Sequence, residues 1–430
     1  MNEEKKEVTM NKEKDRMKNV KGVIQKNKTV PILIKLILYS LAGFILSNLI
    51  VTKTAADGWN IFGKGRYGMN TNQEERQILR LVDEKSDRDV IGVAWSPDGK
   101  SIATTELPMQ VTIWDATTLS IRHKLNQGYK GRGHDNITFS PDNQYLASGL
   151  KTVNVWKVAD GTQKTTLIAP HVSTLAPQDI GVRSLRLSPD GKILVVAYEG
   201  ATQVVIAYRI ADGEIAWSYE PKRTLEPQRR GSPLLKTPLV FTPDGKRVIF
   251  GTVEYGGDDV NLRDLSRILV LDAATGEFLR SIEDIHVMAP TALAISPDGK
   301  WVATGTSTGT KSQTNNFKTR QTVTVDNKDP VRIWNLETGK LVRELPVQSP
   351  VRYLVFSRDG KYLFGSKVEY KTHLSLAVWD VATGKMLQEV RRNFEPMGLA
   401  VSPNGRQLAA ACMDKLTIYE IETSKEVLHK

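Results

Sequence analysis

Apolar and polar residues alternate along most of this chain in runs of five or six, and the runs come in pairs. Residues 291–295, Thr-Ala-Leu-Ala-Ile, form one run, and residues 301–305, Trp-Val-Ala-Thr-Gly, form the next. A period of two places alternate side chains on opposite faces of a strand. Between the runs stands Ser296-Pro297-Asp298-Gly299-Lys300. Proline presets φ for the first corner of a type I turn, aspartate bonds the backbone ahead of it, and glycine suits the exit. The stretch therefore predicts a β-hairpin.

The hairpin recurs. Turns of this kind begin at Ser96, Ser140, Ser188, Thr242, Ser296, Ser357 and Ser402, with successive spacings of 44, 48, 54, 54, 61 and 45 residues. A third apolar run follows each hairpin, at 111–115, 153–156, 204–208, 268–272, 331–334, 376–380 and 416–419. A second turn comes next, often Ala-Thr-Gly, Ala-Asp-Gly or Glu-Thr-Gly, and then a fourth run such as 340–345 or 385–390. Four antiparallel strands at a period of roughly 40–45 residues, with longer copies carrying insertions, is the signature of propeller blades. The expected fold is all-β, a seven-bladed β-propeller of four-stranded antiparallel blades.

The copies also resemble WD-repeat proteins. Trp114-Asp115 and Trp379-Asp380 match the dipeptide that names the family, and Gly133-His134 matches its opening Gly-His. Trp156 and Trp334 stand at the same place in their repeats. The family often joins His, Ser and Trp with an aspartate in one hydrogen-bonded set. His134, Ser148 and Trp156 are the members present in the second copy, whose turn at 149–152 lacks the aspartate. The resemblance covers about residues 75–430. It also implies a strand from the N-terminal side that closes the ring. Residues 77–82, Gln-Ile-Leu-Arg-Leu-Val, read as such a strand, and residues 425–430 compete for the same edge.

One apolar stretch does not alternate. Residues 30–51 carry a single charge, Lys35, which can snorkel to headgroups from near the end of a span. A single transmembrane helix is expected there. Five Lys or Arg in residues 15–29 against three in residues 52–66 place the N-terminus in the cytoplasm and the propeller on the extracytoplasmic side. Thr54-Ala55-Ala56 offers a cleavage site as the alternative to an uncleaved anchor. The division is thus a polar basic tail at 1–29, the membrane helix at 30–51, a glycine-bearing linker at 52–76, and the propeller at 77–430.

Charge changes this picture little. The net charge is +11; residues 1–51 contribute +5, and the remaining 379 residues carry a mild +6. Nucleic acid is not the expected partner, since aromatic residues for base stacking are not interleaved with the basic ones. The lone Cys412 excludes an intrachain disulfide and a cysteine-based zinc site. The six histidines show no ligand spacing, and neither a nucleophile elbow nor a phosphate-binding loop is present. No catalytic residue, cofactor or metal is expected.

Binding is expected on loops. The short Ser-Pro-Asp-Gly turns occupy one face; loops between blades, and between second and third strands, occupy the other. The insertions fall there: 128–133 with Lys130 and Arg132, 220–238 with Lys222, Arg223, Arg229, Arg230 and Lys236, an acidic segment at 254–264, and 305–330 with Lys311, Lys318 and Arg320. Long loops on a rigid scaffold are where recognition usually sits. The expected function is a membrane-tethered, non-catalytic scaffold that binds a protein or polyanionic partner. The alternative is a propeller enzyme acting in the central channel, quinoprotein-like or hydrolytic. Residues 211–217 and 271–276 resemble docking segments of quinoprotein propellers, with only Trp217 supplying the tryptophan.

Overall fold

The computed structural model describes residues 78–422, except 86–88, 108–109, 127–135, 150–151, 169–180, 200–202, 222–237, 256–263, 284–289, 307–310, 317–320, 327–329, 348, 369–373, 393–395 and 414. The expected tail, membrane helix and linker lie outside these residues, as does the segment 425–430.

The alternating runs become seven four-stranded antiparallel sheets. Blade 1 comprises Val90–Trp95, Ser101–Glu106, Gln110–Asp115 and Ile121–Asn126, and blade 2 Ile137–Phe139, Tyr145–Gly149, Val153–Lys157 and Gln163–Leu167. Blade 3 is built from Gly181–Leu187, Ile193–Glu199, Gln203–Arg209 and Ile215–Tyr219. Blade 4 contains Leu239–Phe241, Arg247–Tyr255, Asp264–Asp272 and Phe278–Glu283. Blade 5 consists of Pro290–Ile295, Trp301–Thr306, Val331–Asn335 and Leu341–Leu345, and blade 6 of Val351–Phe356, Tyr362–Val368, Leu374–Asp380 and Met386–Arg392. Blade 7 takes Pro396–Val401, Gln407–Cys412 and Lys415–Ile421 from the end of the chain and Leu79–Lys85 from its beginning.

Each first strand contacts the first strands of both neighbouring blades, so the seven line a common centre and the ring closes. The core is correspondingly divided into seven apolar layers, one between each pair of blades. Alternation explains this division. In blade 1, Ile102 and Trp114 point one way and share a layer with Ala409, Ala411 and Ile418 of blade 7. Ala103, Val111 and Ile113 point the other way and meet Phe139, Leu146 and Trp156 of blade 2. Large residues face small ones: Trp156 shares its layer with Ala103, and Trp379 of blade 6 shares one with Ala303 of blade 5. A blade cannot bury both faces alone, so each depends on its neighbours.

The closing strand is the N-terminal one. Leu79 pairs with Ile421 and Arg80 with Glu420 in an antiparallel ladder that covers an otherwise open edge. Blade 6 holds it as well. The side-chain oxygen of Gln388 accepts from the amides of Ile78 (2.8 Å) and Leu79 (2.7 Å), and its amide nitrogen donates to the Leu79 carbonyl (3.0 Å). Lys415 Nζ lies 2.8 Å from Glu84 Oε2, and Arg80 pairs with Glu420.

One expectation needs correction. Residues 305–330 read as an irregular polar loop, yet they contain an extra antiparallel hairpin, Lys311–Asn316 paired with Gln321–Asp326. Threonine and valine alternate along its second strand, Gln-Thr-Val-Thr-Val-Asp. That alternation is a strand pattern which the polar composition obscures. The acidic segment at 254–264 is partly strand too, because Arg247–Tyr255 and Asp264–Asp272 pair along nine residues each.

Candidate functional site

The two faces of the ring differ because the turns differ. On the turn face, all seven Ser-Pro-Asp-Gly-type turns repeat one hydrogen-bonded pattern. The Ser296 hydroxyl donates to Asp298 Oδ1 (2.6 Å) and accepts from the Trp301 amide (2.9 Å), while Asp298 also accepts from the Lys300 amide (3.1 Å). The same set occurs at Ser188, where Asp190 takes the aspartate's part, and at Thr242, where Asp244 does. In blade 7, Asn404 stands in for the aspartate and keeps both bonds. The Ser188 hydroxyl, ahead of other causes, holds the Asp190 carboxyl below its usual range; the Thr242 hydroxyl does the same for Asp244. Neighbouring turns interlock. Gly245 of blade 4 has φ +70° and sits against the ring of Pro189 in blade 3, where a Cβ would come within 3.3 Å of Pro189 Cδ. Arg358 stands where the other turns carry proline, apart from a basic head: its aliphatic stem packs on Gly405, and Nε donates to the Ser402 carbonyl (3.4 Å).

The opposite face receives every connection between blades and between second and third strands. It carries the hairpin Lys311–Asn316 and Gln321–Asp326 and the long strands of blade 4. Of the basic residues expected there, Lys311 opens the first strand of that hairpin. Lys130, Arg132, Lys222, Arg223, Arg229, Arg230, Lys236, Lys318 and Arg320 lie outside the described residues.

The repeat residues are structural. Trp114 is buried, and its Nε1 donates to Thr104 Oγ1 (2.8 Å), which in turn donates to Glu106 Oε1 (2.9 Å). Trp334 does the same to Thr304 (3.1 Å). Buried Ser148 occupies the equivalent place beside buried Trp156, two residues along the second strand from the residue that pairs with the tryptophan; His134 lies outside the described residues. In blade 6 that place falls to Gly365, where a Cβ would lie 2.8 Å from the Trp379 ring. Trp379 Nε1 accordingly finds no acceptor among the described residues. The aspartates of the two Trp-Asp pairs cap the following turn: Asp115 accepts from the Thr117 (3.0 Å) and Thr118 (2.9 Å) amides, and Asp380 from the Thr383 amide (2.6 Å) and hydroxyl (2.7 Å). An ion pair from Arg122, followed by these bonds, pulls the Asp115 carboxyl far below its usual range. The Trp217 segment is also a joint, since its Nε1 donates to the Ala273 carbonyl (3.0 Å) and its ring lies on Gly276 of the next blade.

The central channel carries residues that the reading of the sequence did not single out. Its cavity volume is about 90 Å³. Val93, Ile137, Leu239, Leu293, Leu354 and Leu399 all line it, each three residues before the turn that ends its strand, and they form an apolar collar. Arg183, Thr291 and Arg352 line it from five residues before the turn, toward the insertion-bearing face, and Arg186 adds a further guanidinium. Strand pairing explains why the second set can turn inward. The register skips a residue between Val182 and Ser184, between Pro290 and Ala292, and between Val351 and Tyr353. The skipped residues are Arg183, Thr291 and Arg352. A bulge of this kind frees one residue from the ladder and re-aims its side chain. No aspartate, glutamate or histidine stands among the described residues lining this space, and no group of three potential metal ligands occurs among the described residues.

Comparison with known proteins agrees with this architecture. Residues 278–310 match the model of the WD domain, G-beta repeat. The segment runs from the fourth strand of blade 4 into the second strand of blade 5, the frame in which such repeats are read. The chain is 31% identical to Protein HIR1 of Mycosarcoma maydis over 151 residues, 34% of this chain and 14% of that protein. It is 29% identical to WD repeat-containing protein 36 of Homo sapiens over 90 residues, 21% of this chain and 10% of that protein. A longer, weaker likeness, 22% over 329 residues, extends to Cell division cycle 20.1, cofactor of APC complex, of Arabidopsis thaliana, covering 73% of this chain and 60% of that protein. The match thus spans about one seventh of the length of the HIR1 protein. The repeat match and the ring of seven blades together support the WD-repeat family for this chain.

Proposed function

We propose that this protein is a non-catalytic scaffold that binds a protein partner through the face opposite its Ser-Pro-Asp-Gly turns. One observation carries the reading: the hairpin Lys311–Asn316 and Gln321–Asp326 is built on that face, while the seven turns of the other face stay short and alike. A rigid ring that elaborates one face and standardises the other is organised for recognition on the elaborated one. WD-repeat relatives support the role, among them a protein whose name describes a cofactor of a larger complex.

The finer reading adds a basic recognition surface and a tether. The residues at 128–133 and 220–238, with Lys318 and Arg320, favour an acidic or polyanionic partner surface. Residues 30–51 anchor the chain, with the propeller extracytoplasmic; the apolar run and the basic residues before it support this. Among the described residues no helix is long and apolar enough to cross a membrane, and the run itself lies outside them.

Crosslinking in intact cells tests the scaffold. The wild-type chain and a turn-face variant, Lys246→Gln with Lys300→Gln, are expected to capture the same partner. A loop-face variant, Lys222→Glu with Arg223→Glu, Arg229→Glu and Arg230→Glu, is expected to lose it. Loss by the turn-face variant alone, or capture of no partner by a protein that purifies with a cofactor and turns over a substrate, overturns the reading. Alkaline extraction of membranes tests the tether: the full chain is expected in the pellet, and deletion of residues 30–51 is expected to release it.

A further inference from the structure

The geometry points to a second docking surface, on the outer rim where blades 5 and 6 adjoin, that takes an acidic, extended segment of a partner protein. It lies apart from the elaborated face, so neither reading rests on the other.

The surface shows first in what the ring leaves uncovered. Of the twelve large apolar side chains exposed among the described residues, ten lie on outermost strands. Blades 4 to 7 each present an adjacent pair, Leu341-Val342 in blade 5 and Met386-Leu387 in blade 6 among them. Neighbours on a strand ordinarily face opposite ways. Here the ladder skips the second member of each pair. Leu341 pairs with Trp334 and Arg343 with Ile333, which leaves out Val342; Met386 pairs with Trp379 and Gln388 with Val378, which leaves out Leu387. A bulge re-aims the skipped residue, so both members reach the surface. All four side chains are between 37% and 47% exposed. Exposed apolar groups gathered in this way mark an interaction site.

Charge then separates blades 5 and 6 from the others. The residue before the pair is a lysine in both, Lys340 and Lys385, each exposed and in no ion pair among the described residues. Blade 4 has Glu277 at that place, and in blade 7 Arg80 is paired with Glu420. The two lysine-led pairs are neighbours, because Arg343 of blade 5 lies against Gly384, next to Lys385. The carboxylates near them are already engaged: Glu337 by Arg247 (2.9 Å), Glu344 by Arg332 (2.9 Å) and Glu389 by Lys367. The rim therefore offers apolar side chains flanked by uncompensated positive charge, which complements an acidic and apolar partner.

The backbone sets the form of that partner. Leu341–Leu345 and Met386–Arg392 end their sheets, so one edge of each is unpaired among the described residues. An extended segment adds to such an edge as a further strand, with main-chain bonds for affinity and alternate side chains for specificity. Hydrocarbon leaves edge N–H and C=O groups without partners, and a second copy brings the same lysines to the contact. A strand that alternates apolar and acidic residues meets the open edge, the apolar pairs and the lysines together.

The test uses the full-length chain in zwitterionic nanodiscs and labelled peptides of about eight residues, the length of a strand, followed by fluorescence anisotropy. One peptide alternates leucine and glutamate, one alternates leucine and lysine, and one is the acidic peptide N-methylated at alternate residues, which keeps its side chains but loses strand donors. Saturable binding of the acidic peptide is expected, with the other two weaker by about tenfold or more. Lys340→Glu with Lys385→Glu is expected to weaken the acidic peptide about tenfold and to tighten the basic one. Leu341→Ser with Met386→Ser is expected to weaken the acidic peptide while keeping its preference over the basic one. Lys192→Glu, on the turn face of blade 3, is expected to leave binding unchanged. The altered residues are exposed, so melting temperatures are expected to match the parent's, and a reversed preference is a gain that loss of fold does not supply. The proposal is overturned if the acidic peptide does not bind saturably, if the basic or the N-methylated peptide binds as tightly, if charge reversal leaves the preference as it was, or if Lys192→Glu weakens binding as much as the rim variants. Binding of phosphatidylglycerol vesicles without peptide binding, lost on charge reversal, assigns the rim to a lipid surface and overturns it as well. Self-association without peptide binding, lost in Leu341→Ser with Met386→Ser, assigns it to a second copy, with the same consequence.

Discussion

Asp190 and Asp244 show how one residue choice, repeated, sets the acid sensitivity of the ring. Each carboxylate accepts from a serine or threonine hydroxyl and from a backbone amide, and both are held below the ordinary range chiefly by the hydroxyl. A depressed folded-state value means that the carboxylate stabilises the fold above the unfolded value, about 3.9, and that this stabilisation is lost as pH falls through the folded value. Thermal melts from pH 7 down to pH 3 are expected to show a steep loss of stability below about pH 4. Asp190→Asn combined with Asp244→Asn is expected to make that fall shallower. Asn404 already makes the equivalent bonds in blade 7 without a titrating group. A double variant whose curve runs parallel to the parent's would remove the turns as the source.

Strands explain more than residues do where a hydroxyl stands behind a tryptophan. The Trp114–Thr104–Glu106 chain spans two neighbouring strands of blade 1 and is buried throughout. Thr104→Val leaves the indole N–H and the carboxylate each short of a partner, so denaturant unfolding is expected to show a loss of about 1–3 kcal/mol. Blade 6 reaches the opposite solution, with the Trp379 ring filling the space above Gly365. Gly365→Thr is therefore expected to destabilise by about 1–3 kcal/mol through overpacking, even though it restores the residue type seen in blades 1 and 5. An increase in stability for Gly365→Thr would show that the missing hydroxyl, not the tight packing, governs that site.

At the scale of the whole ring, closure depends on a strand from the far end of the sequence. Gln388 binds the backbone of Ile78 and Leu79 with three hydrogen bonds, which ties blade 6 to the strand that completes blade 7. Gln388→Ala is expected to expose the outer edge of Lys415–Ile421 transiently. Faster amide exchange in residues 415–421, and self-association at high concentration, are the measurements that report it. Unchanged exchange there would mean that the Leu79–Lys85 ladder with Lys415–Ile421 is sufficient by itself. The exposed apolar residues Ile121, Ile215, Phe278, Leu341 and Met386 begin the outermost strands of five blades. They are the positions where alternation continues but no neighbouring blade arrives to cover it.

Much of this was legible along the chain. Ser296-Pro297-Asp298-Gly299 and its six counterparts announced hairpins because turn chemistry is local, and period-two alternation announced strands buried on both sides. Blade number followed from counting, since each repeat is one sheet. The hairpin at 311–326 escaped because threonine, asparagine and glutamine resemble loop composition. The channel escaped for a different reason. Arg183, Thr291 and Arg352 are separated by 108 and 61 residues, and nothing local marks them as bulged. Only closure of seven sheets into one ring sets these first strands around a shared centre, and a slip in strand pairing takes these three residues out of the ladder at that centre. Local propensity, in short, shaped each blade, while the long-range packing of blade on blade decided which residues line the space between them.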